Sequence, residues 1–154
     1  MLNISKNINT IHLSYSNDLS DGGISTAVRE LCSNQKSIGI NTSWITIKEN
    51  KKLTFNNYLR VNLKELNPKI LHIHGLWRCP TRIYKLYLKE KLPYIISPHG
   101  MLDEWAINQS KLKKQIYWSI FEKHSLNASS CIQALCQSEV ESIKKMGLKN
   151  NIAL

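Results

Sequence analysis

The chain has 154 residues, of which 42% are hydrophobic, and this is enough for one globular domain with a buried core. No apolar run approaches the roughly 20 residues that span a bilayer, and residues 1–10 lack the apolar segment of a secretory signal. We therefore expect a cytoplasmic protein. The formal net charge of +10 favours phosphates, anionic lipids or nucleic acids as partners, although a compositional bias of the genome explains the same excess. Lysine dominates over arginine, which argues against a nucleic-acid partner.

The four cysteines form no Cys-x-x-Cys pair, so neither a zinc ribbon nor a redox motif is expected. Cys32 and Cys131 lie in apolar segments and are predicted to be small buried hydrophobic residues. We interpret all four cysteines as structural thiols.

Segments of strand and helix character alternate along the chain, which predicts an α/β protein. Strands are predicted at 8–15, 42–47 and 131–135, in the two apolar runs that lead into His74 and His99, from 152 onward, and in a short segment near 53–55. Helices are predicted at 24–37, 58–66, 80–91, 111–125 and from 138 onward, with a loop at 102–105. The helix at 111–125 has a predicted core stripe of Leu112, Ile116, Tyr117, Ile120 and Phe121. The predicted fold is Rossmann-like, a mostly parallel sheet of about six or seven strands with helices on both faces.

Two of the predicted strands end in the same dipeptide, His74-Gly75 and His99-Gly100. A strand, a helix and a strand within about thirty residues form a βαβ unit, whose two strands are parallel neighbours. Both His-Gly pairs then leave the sheet at its carboxyl edge, where open α/β sheets bind ligands. We expect both pairs in a ligand cleft.

A third turn, which contains Gly22-Gly23, lies between the first strand and the helix at 24–37. A glycine turn before a helix lets backbone amides approach a phosphate. The spacing is not that of a dinucleotide fingerprint, however. A turn that only requires positive φ explains the two glycines as well.

Four stretches carry a resemblance to a known family: D-G-G-I-S-T-A-V-R-E-L, H-I-H-G-L-W, S-P-H-G-M-L-D-E-W-A and C-Q-S-E-V-E-S-I-K-K-M-G-L. Together they resemble the amino-terminal domain of family 4 glycosyltransferases, which are retaining enzymes of the GT-B fold. The resemblance covers the chain from about residue 8 to residue 154. The third stretch, residues 97–106, is its most specific part.

The resemblance implies an enzyme of the hexosyltransferase type, active in polysaccharide biosynthesis. It would transfer a sugar from a nucleotide-sugar donor to a saccharide or lipid-linked acceptor, with the donor as co-substrate and no other cofactor or metal. The amino-terminal domain of the family shapes the acceptor side. The site residues implied by the resemblance are His99 as the catalytic residue, Gly22 and Gly23 near the donor phosphates, and His74, Gly75, Gly100 and Trp105 in substrate binding.

Most donor contacts of the family belong to a second, carboxyl-terminal domain. We therefore expect residues 1–154 to be one acceptor-side domain, truncated before the donor-binding domain and inactive alone. A separately encoded donor-binding domain is an expected partner.

Several alternatives stay open at this point. His72 and His74 lie two apart on one strand face and could begin the metal site of a hydrolase, or His72 could be a buried, hydrogen-bonded histidine. His99 could serve only to fix the loop before Trp105. A free-standing Rossmann-like module that binds a phosphorylated ligand or a protein partner is a further alternative. Lys111, Lys114 and Trp118 share a helix face that suits either solvent or the inner surface of the plasma membrane, with peripheral binding.

Overall fold

A computed structural model describes residues 9–19, 22–47 and 52–154, without the side chains of 52–58. Six β-strands in these ranges form a single sheet. The strands are β1 (Asn9–Ser14), β2 (Asn41–Thr46), β3 (Ile70–His74), β4 (Tyr94–Ser97), β5 (Cys131–Gln133) and β6 (Ile152–Ala153).

Helices connect consecutive strands. They are α1 (Gly23–Ser37), α2 (Lys52–Leu66), α3 (Cys79–Arg82), α4 (Tyr84–Lys89), α5 (Glu104–Asn108), α6 (Lys111–Tyr117), α7 (Lys123–Ala128) and α8 (Gln137–Lys145). A π-helical segment, Trp118–Glu122, joins α6 directly to α7. None of the helices in the described part of the chain has both the length and the apolar character that crossing a membrane requires.

The strand order is β2-β1-β3-β4-β5-β6, and every neighbouring pair is parallel. This is a Rossmann-like α/β fold, and the predicted fold class is confirmed. From β1 the chain passes to β2 on one side and then returns to β3 on the other. The order therefore reverses between β1 and β3, and a crevice opens at the carboxyl ends of strands at such a point.

The two faces of the sheet differ in chemistry because side chains alternate along each strand. One face presents aliphatic residues that are fully buried in the main hydrophobic core: Ile11, Leu13, Leu71, Ile73, Ile96 and Ile132. Leu59 and Leu63 of α2 belong to the same core. The other face presents His12, His72 and His74, and α1 covers it with Gln35 bonded to His12. Helices therefore lie on both faces.

Helix α1 shows how local chemistry fixes an element. Val28 and Cys32 lie one turn apart and are buried, as predicted. After the last turn, Gly39 adopts φ +84, and its amide bonds to the carbonyl of Lys36. A left-handed glycine at this position ends a helix and turns the chain into β2.

Three predicted segments need correction. Residues 53–55 belong to α2 and not to a strand. The helix predicted at 80–91 is two short helices, α3 and α4, because Ile83 at φ -102 interrupts the helical path. The segment predicted as a loop at 102–105 leads into α5.

Cys131 is only half-buried, and Cys136 is exposed, so the prediction of a buried Cys131 is wrong.

The predicted core stripe of the helix at 111–125 is also wrong. Leu112, Ile116 and Ile120 are each more than half exposed, whereas Glu122 and Leu126 are fully buried. The π-helical segment adds a residue to one turn and so rotates the following residues relative to α6. The inward face of this helical segment carries the Glu122 carboxyl. Because a charged residue is normally expected to face solvent, the sequence pattern does not indicate that this face is buried.

Candidate functional site

Four histidines from two strands and one turn meet on the polar face of the sheet. His12 and His72 are direct partners across β1 and β3. His74 follows on the same face of β3, and His99 comes directly after β4 in the turn of residues 98–101. We call His12, His72, His74 and His99 the histidine band.

A chain of hydrogen bonds runs through the band. His12 Nε2 lies 2.8 Å from Gln35 Oε1, and His12 Nδ1 lies 2.9 Å from His74 Nε2. His74 Nδ1 lies 3.0 Å from His99 Nε2. Because Gln35 Oε1 only accepts, we assign the proton of each ring in this chain to Nε2. The unprotonated nitrogen of His99 is then Nδ1.

His72 belongs to a second branch. Its Nε2 lies 2.7 Å from Ser97 Oγ, which donates to Gln133 Oε1 at 2.8 Å. Both branches cross neighbouring strands, so the polar face is linked from α1 to β5. His72 is thus the buried, hydrogen-bonded histidine that was one of the two sequence alternatives.

Burial keeps all four histidines neutral. It lowers the pKa of His72 to about 3, with further lowering from the neighbouring His12 and His99. It lowers the pKa of His74 well below the usual value, and lowers those of His12 and His99 as well. A charged imidazole in this place would lose hydration, and at His99 the nearby Glu139 carboxylate opposes the fall in pKa.

The same cluster also has the composition of a metal-binding site. One ring nitrogen from each of His12, His72 and His74 lies within 4.8 Å of those of the other two. Three neutral imidazoles are a ligand set that suits a transition metal. Here, however, the facing nitrogens of His12 and His74 are already bonded to each other, and a metal would have to break that bond.

A cleft of about 160 Å³ opens above the band at the crevice between β1 and β3. We call it the His74 cleft. The loops after β1, β3 and β4 and the first turn of α1 surround it. Its lining residues are Ser14, Tyr15, Ser16, Ile24, Ser25, His74, Gly75, Leu76, Arg78 and Met101.

Gly75 fits the floor of this cleft because it lacks a side chain. Its φ is +81, and a Cβ at this position would lie 3.2 Å from Ile24 Cδ1 and 3.4 Å from Met101 Cε. Both the backbone conformation and the space therefore require glycine.

The predicted site residues fall into two groups. His74 and Gly75 line the cleft, and Gly22 and Gly23 begin α1 beside Ile24 and Ser25, which also line it. Gly22 is the N-cap residue of α1, has φ +103 and makes no side-chain hydrogen bond to the first turn.

His99 and Gly100 form a turn next to the cleft; neither lines it, and His99 is hydrogen-bonded to His74, which does. Both residues have positive φ, at +56 and +73. The amide of Gly100 donates to Glu139 Oε1 at 2.6 Å, which anchors the turn to α8. Trp105 is 76% exposed and is not among the residues that line the His74 cleft.

Glu122 is a residue that sequence reasoning missed. Its Oε1 accepts the Trp77 amide at 3.0 Å and the Thr81 hydroxyl at 2.8 Å, so it holds the segment that follows Gly75. Burial raises the pKa of its carboxyl to about 7, although these bonds and Arg82 oppose the rise. The sequence gives no signal for it except an acid next to an apolar run.

Fold and cleft together define a class of protein: an α/β domain with a polar ligand cleft at the switch point of a parallel sheet. Residues 37–154 match the model of the family described as Glycosyltransferase Family 4. Since the match covers well over half of the sequence, the chain belongs to glycosyltransferase family 4. Gly22, Gly23 and His12 precede the matched residues. A search among curated proteins finds no match.

The neutral histidines predict that stability falls in mild acid. Below pH 6.5 the unfolded chain takes up protons on these histidines that the folded chain does not, so the free energy of unfolding decreases by about 1.4 kcal/mol per pH unit for each histidine that stays neutral. Glu122 contributes to the pH dependence of stability with the opposite sign. Because its pKa is raised to about 7 in the folded state, its contribution stabilises the folded state as the pH falls below about 7 and offsets that of one histidine. Urea unfolding at several pH values measures the slope. We expect H72Q to reduce it and H124Q, at an exposed position, to leave it unchanged; equal slopes in both variants would contradict the prediction.

The crowding at Gly75 predicts an asymmetry between two glycine variants. Gly39 and Gly75 share a left-handed backbone, but a Cβ at Gly39 meets nothing within 4 Å. We expect G39A to lose about 1 kcal/mol of stability from backbone strain, and G75A about 1 kcal/mol more from contact with Ile24 and Met101. Urea unfolding of both variants gives the difference. Equal losses would show that the space around Gly75 is not restrictive.

Proposed function

We propose that this chain forms the acceptor side of a retaining glycosyltransferase. In this proposal a hexosyl group passes from a nucleotide-sugar donor to a saccharide or lipid-linked acceptor in polysaccharide biosynthesis. The observation that carries it is the His74 cleft, which lies at the carboxyl edge between β1 and β3 in a chain of glycosyltransferase family 4. Transfer to a hydroxyl group requires that two substrates are held in one geometry. In this proposal, a rigid cleft of this kind holds one of the two substrates.

His99 is proposed as the catalytic residue that contacts the transferred sugar. Its ring is neutral, and the bond to His74 holds Nε2, which leaves Nδ1 as an acceptor for a sugar hydroxyl. The positive φ of His99 is uncommon for a residue other than glycine, and strain of this sort is often retained at functional turns.

Gly22 and Gly23 are proposed to lie near the donor phosphates. The support is the uncapped first turn of α1, where backbone amides and the helix dipole favour an anion. Gly75, Gly100 and Trp105 are proposed as substrate-binding residues. The exposure of Trp105 suits contact with a substrate or partner that approaches from outside the domain.

The chain alone is proposed to be inactive. The leaving diphosphate of a nucleotide sugar needs charge stabilisation, which the family resemblance assigns to a donor-binding domain. A donor-binding domain is the proposed partner. We propose no cofactor besides the donor, and cytoplasmic action at or near the inner surface of the plasma membrane.

A metal-dependent hydrolase is the second candidate, because His12, His72 and His74 are clustered. We rank it lower because all three rings already have hydrogen-bond partners in the band. A binding module without catalytic activity could use the same cleft. Only a turnover experiment that includes a donor-binding domain separates it from a transferase.

The proposed function predicts where nucleotide sugars bind. A ¹⁵N-labelled chain titrated with UDP-glucose, UDP-N-acetylglucosamine and GDP-mannose should show amide shifts that concentrate at Gly22, Gly75 and His99. No acceptor-dependent product should form with the chain alone. Shifts confined to other surfaces would contradict the proposed binding site. Product formation by the chain alone would contradict the proposal that it needs a donor-binding domain. Zinc-dependent hydrolysis of a test ester, abolished in H72Q, would favour the hydrolase.

A further inference from the structure

The three strand histidines of the band, His12, His72 and His74, lie close enough together to share one ion. Each ring has a nitrogen within 4.8 Å of those of the other two. The ring centres are 5.1 Å apart for His12 and His72, 5.2 Å for His12 and His74, and 4.1 Å for His72 and His74. All three side chains are buried, and His74 also lines the His74 cleft, which gives an ion a route from solvent.

Two of these rings already lie near the spacing of zinc ligands. Zn–N bonds of about 2.0–2.1 Å in tetrahedral geometry place two ligand nitrogens about 3.3 Å apart. His12 Nδ1 and His74 Nε2 are 2.9 Å apart. Because the third nitrogen lies within 4.8 Å, small ring rotations bring all three nitrogens to ligand distance.

On each ring, the nitrogen that would not bind the ion is already held by a hydrogen bond. The three bonds join His12 Nε2 to Gln35 Oε1, His72 Nε2 to Ser97 Oγ, and His74 Nδ1 to His99 Nε2. Metal-ligating histidines almost always have such a partner on the second nitrogen, because it fixes the orientation of the ring. The band therefore contains both a ligand set and the partners that orient it.

The proton positions determine which ring has to change when an ion binds. His12 carries its proton on Nε2, so its Nδ1 is unprotonated. Ser97 donates its single proton to Gln133, so His72 donates from Nε2, and its Nδ1 is unprotonated as well. His74 differs, because its Nε2 carries the proton that it donates to His12. Only His74 has to change its tautomer.

The change at His74 passes on to His99. When an ion takes the Nε2 lone pair of His74, the ring proton moves to Nδ1, which then donates to His99 Nε2. His99 Nε2 now accepts this bond, so the proton of His99 moves to Nδ1. Each ring keeps one proton, and only the positions of the protons change. Nδ1 of His99 becomes a donor instead of an acceptor.

We propose that His12, His72 and His74 form a three-imidazole site for Zn²⁺, and that occupancy of this site moves the His99 ring proton from Nε2 to Nδ1. Imidazole nitrogens suit zinc, which takes three protein ligands and one water in tetrahedral geometry. The hydrogen bond between His12 and His74 is lost, and three metal–imidazole bonds replace it. The ion regulates the turn that contains His99, and the inference assigns it no hydrolysis.

The inference does not depend on the proposed function, because it concerns only the ion and the ring protons. Under the proposed function it has one consequence: His99 Nδ1 no longer accepts a hydrogen bond from a sugar hydroxyl, so zinc opposes sugar binding at this turn. The zinc titration contains no nucleotide sugar, and the nucleotide-sugar titration contains no zinc. Either can therefore fail while the other stands.

Calorimetric titration of the tag-free, chelator-treated chain with zinc chloride tests the site. We expect one ion per chain with a dissociation constant of about 1 µM or lower. H72Q and H74Q should each weaken binding by roughly a hundredfold, because one of three ligands is lost. The matched control is H124Q, which removes an exposed histidine and should change the affinity less than about twofold. C136S removes an exposed thiol that is itself a possible ligand, and it should also retain binding.

A second pair of variants leaves all three ligands in place. S97A removes the partner of His72 Nε2, and loss of such a partner weakens metal binding about 10–100-fold. The matched control is S129A, a buried serine before β5 whose hydroxyl bonds to the Leu126 carbonyl, and it should retain wild-type affinity. Circular dichroism verifies the fold of every variant.

Long-range ¹H–¹⁵N spectra of the wild-type histidine rings, recorded without zinc and at saturation, test the proton shift without any substitution. We expect the proton of His99 to move from Nε2 to Nδ1, and the spectrum of His124 to stay the same. An unchanged His99 ring at saturation would overturn the proposal.

Three calorimetric outcomes would overturn it as well. Absence of zinc binding by the wild type is the first. Equal affinity in the wild type, H72Q and H74Q is the second, because it indicates an adventitious ion only. Loss of binding in C136S but not in H72Q is the third, because the thiol is then the ligand.

Discussion

Three buried imidazole rings and a half-buried fourth impose the strongest constraint on this domain. A buried polar group without a hydrogen bond costs about 1–3 kcal/mol, so each ring needs a partner of the correct polarity. Gln35 provides the acceptor at one end, and Ser97 with Gln133 completes the second branch. The parallel register that pairs His12 with His72 is what brings the rings together. The sheet thus has one aliphatic face, which stabilises the fold, and one polar face, on which hydrogen bonds fix the position of the histidine ring protons.

That order extends to the ligand edge. His74 lies between the interior of the band and the cleft, and His99 receives its orientation from His74. On the other side of the turn, Glu139 fixes Gly100, and Glu122 fixes the segment after Gly75. Two buried carboxylates and a neutral histidine chain therefore position loops that are otherwise short and glycine-rich.

The sequence predicts the fold well because apolar runs and glycine turns are local signals. The His-Gly dipeptides after β3 and β4 and the glycine turn before α1 all reach one edge, as parallel topology requires. His12 and Glu122 could not be found in this way. The role of His12 depends on a strand partner sixty residues later, and Glu122 is buried on a face that its charge seemed to exclude. The error over Leu112, Ile116 and Ile120 has the same origin, since a π-helical turn has no clear sequence signature.

The protonation pattern of the band tests the central claim directly. Long-range ¹H–¹⁵N correlation spectra of the histidine rings at neutral pH distinguish the two tautomers and the imidazolium ion. The account predicts that His12, His74 and His99 are neutral and carry their proton on Nε2. A proton on Nδ1 of His99, or a charged ring at any of the three positions, would contradict it.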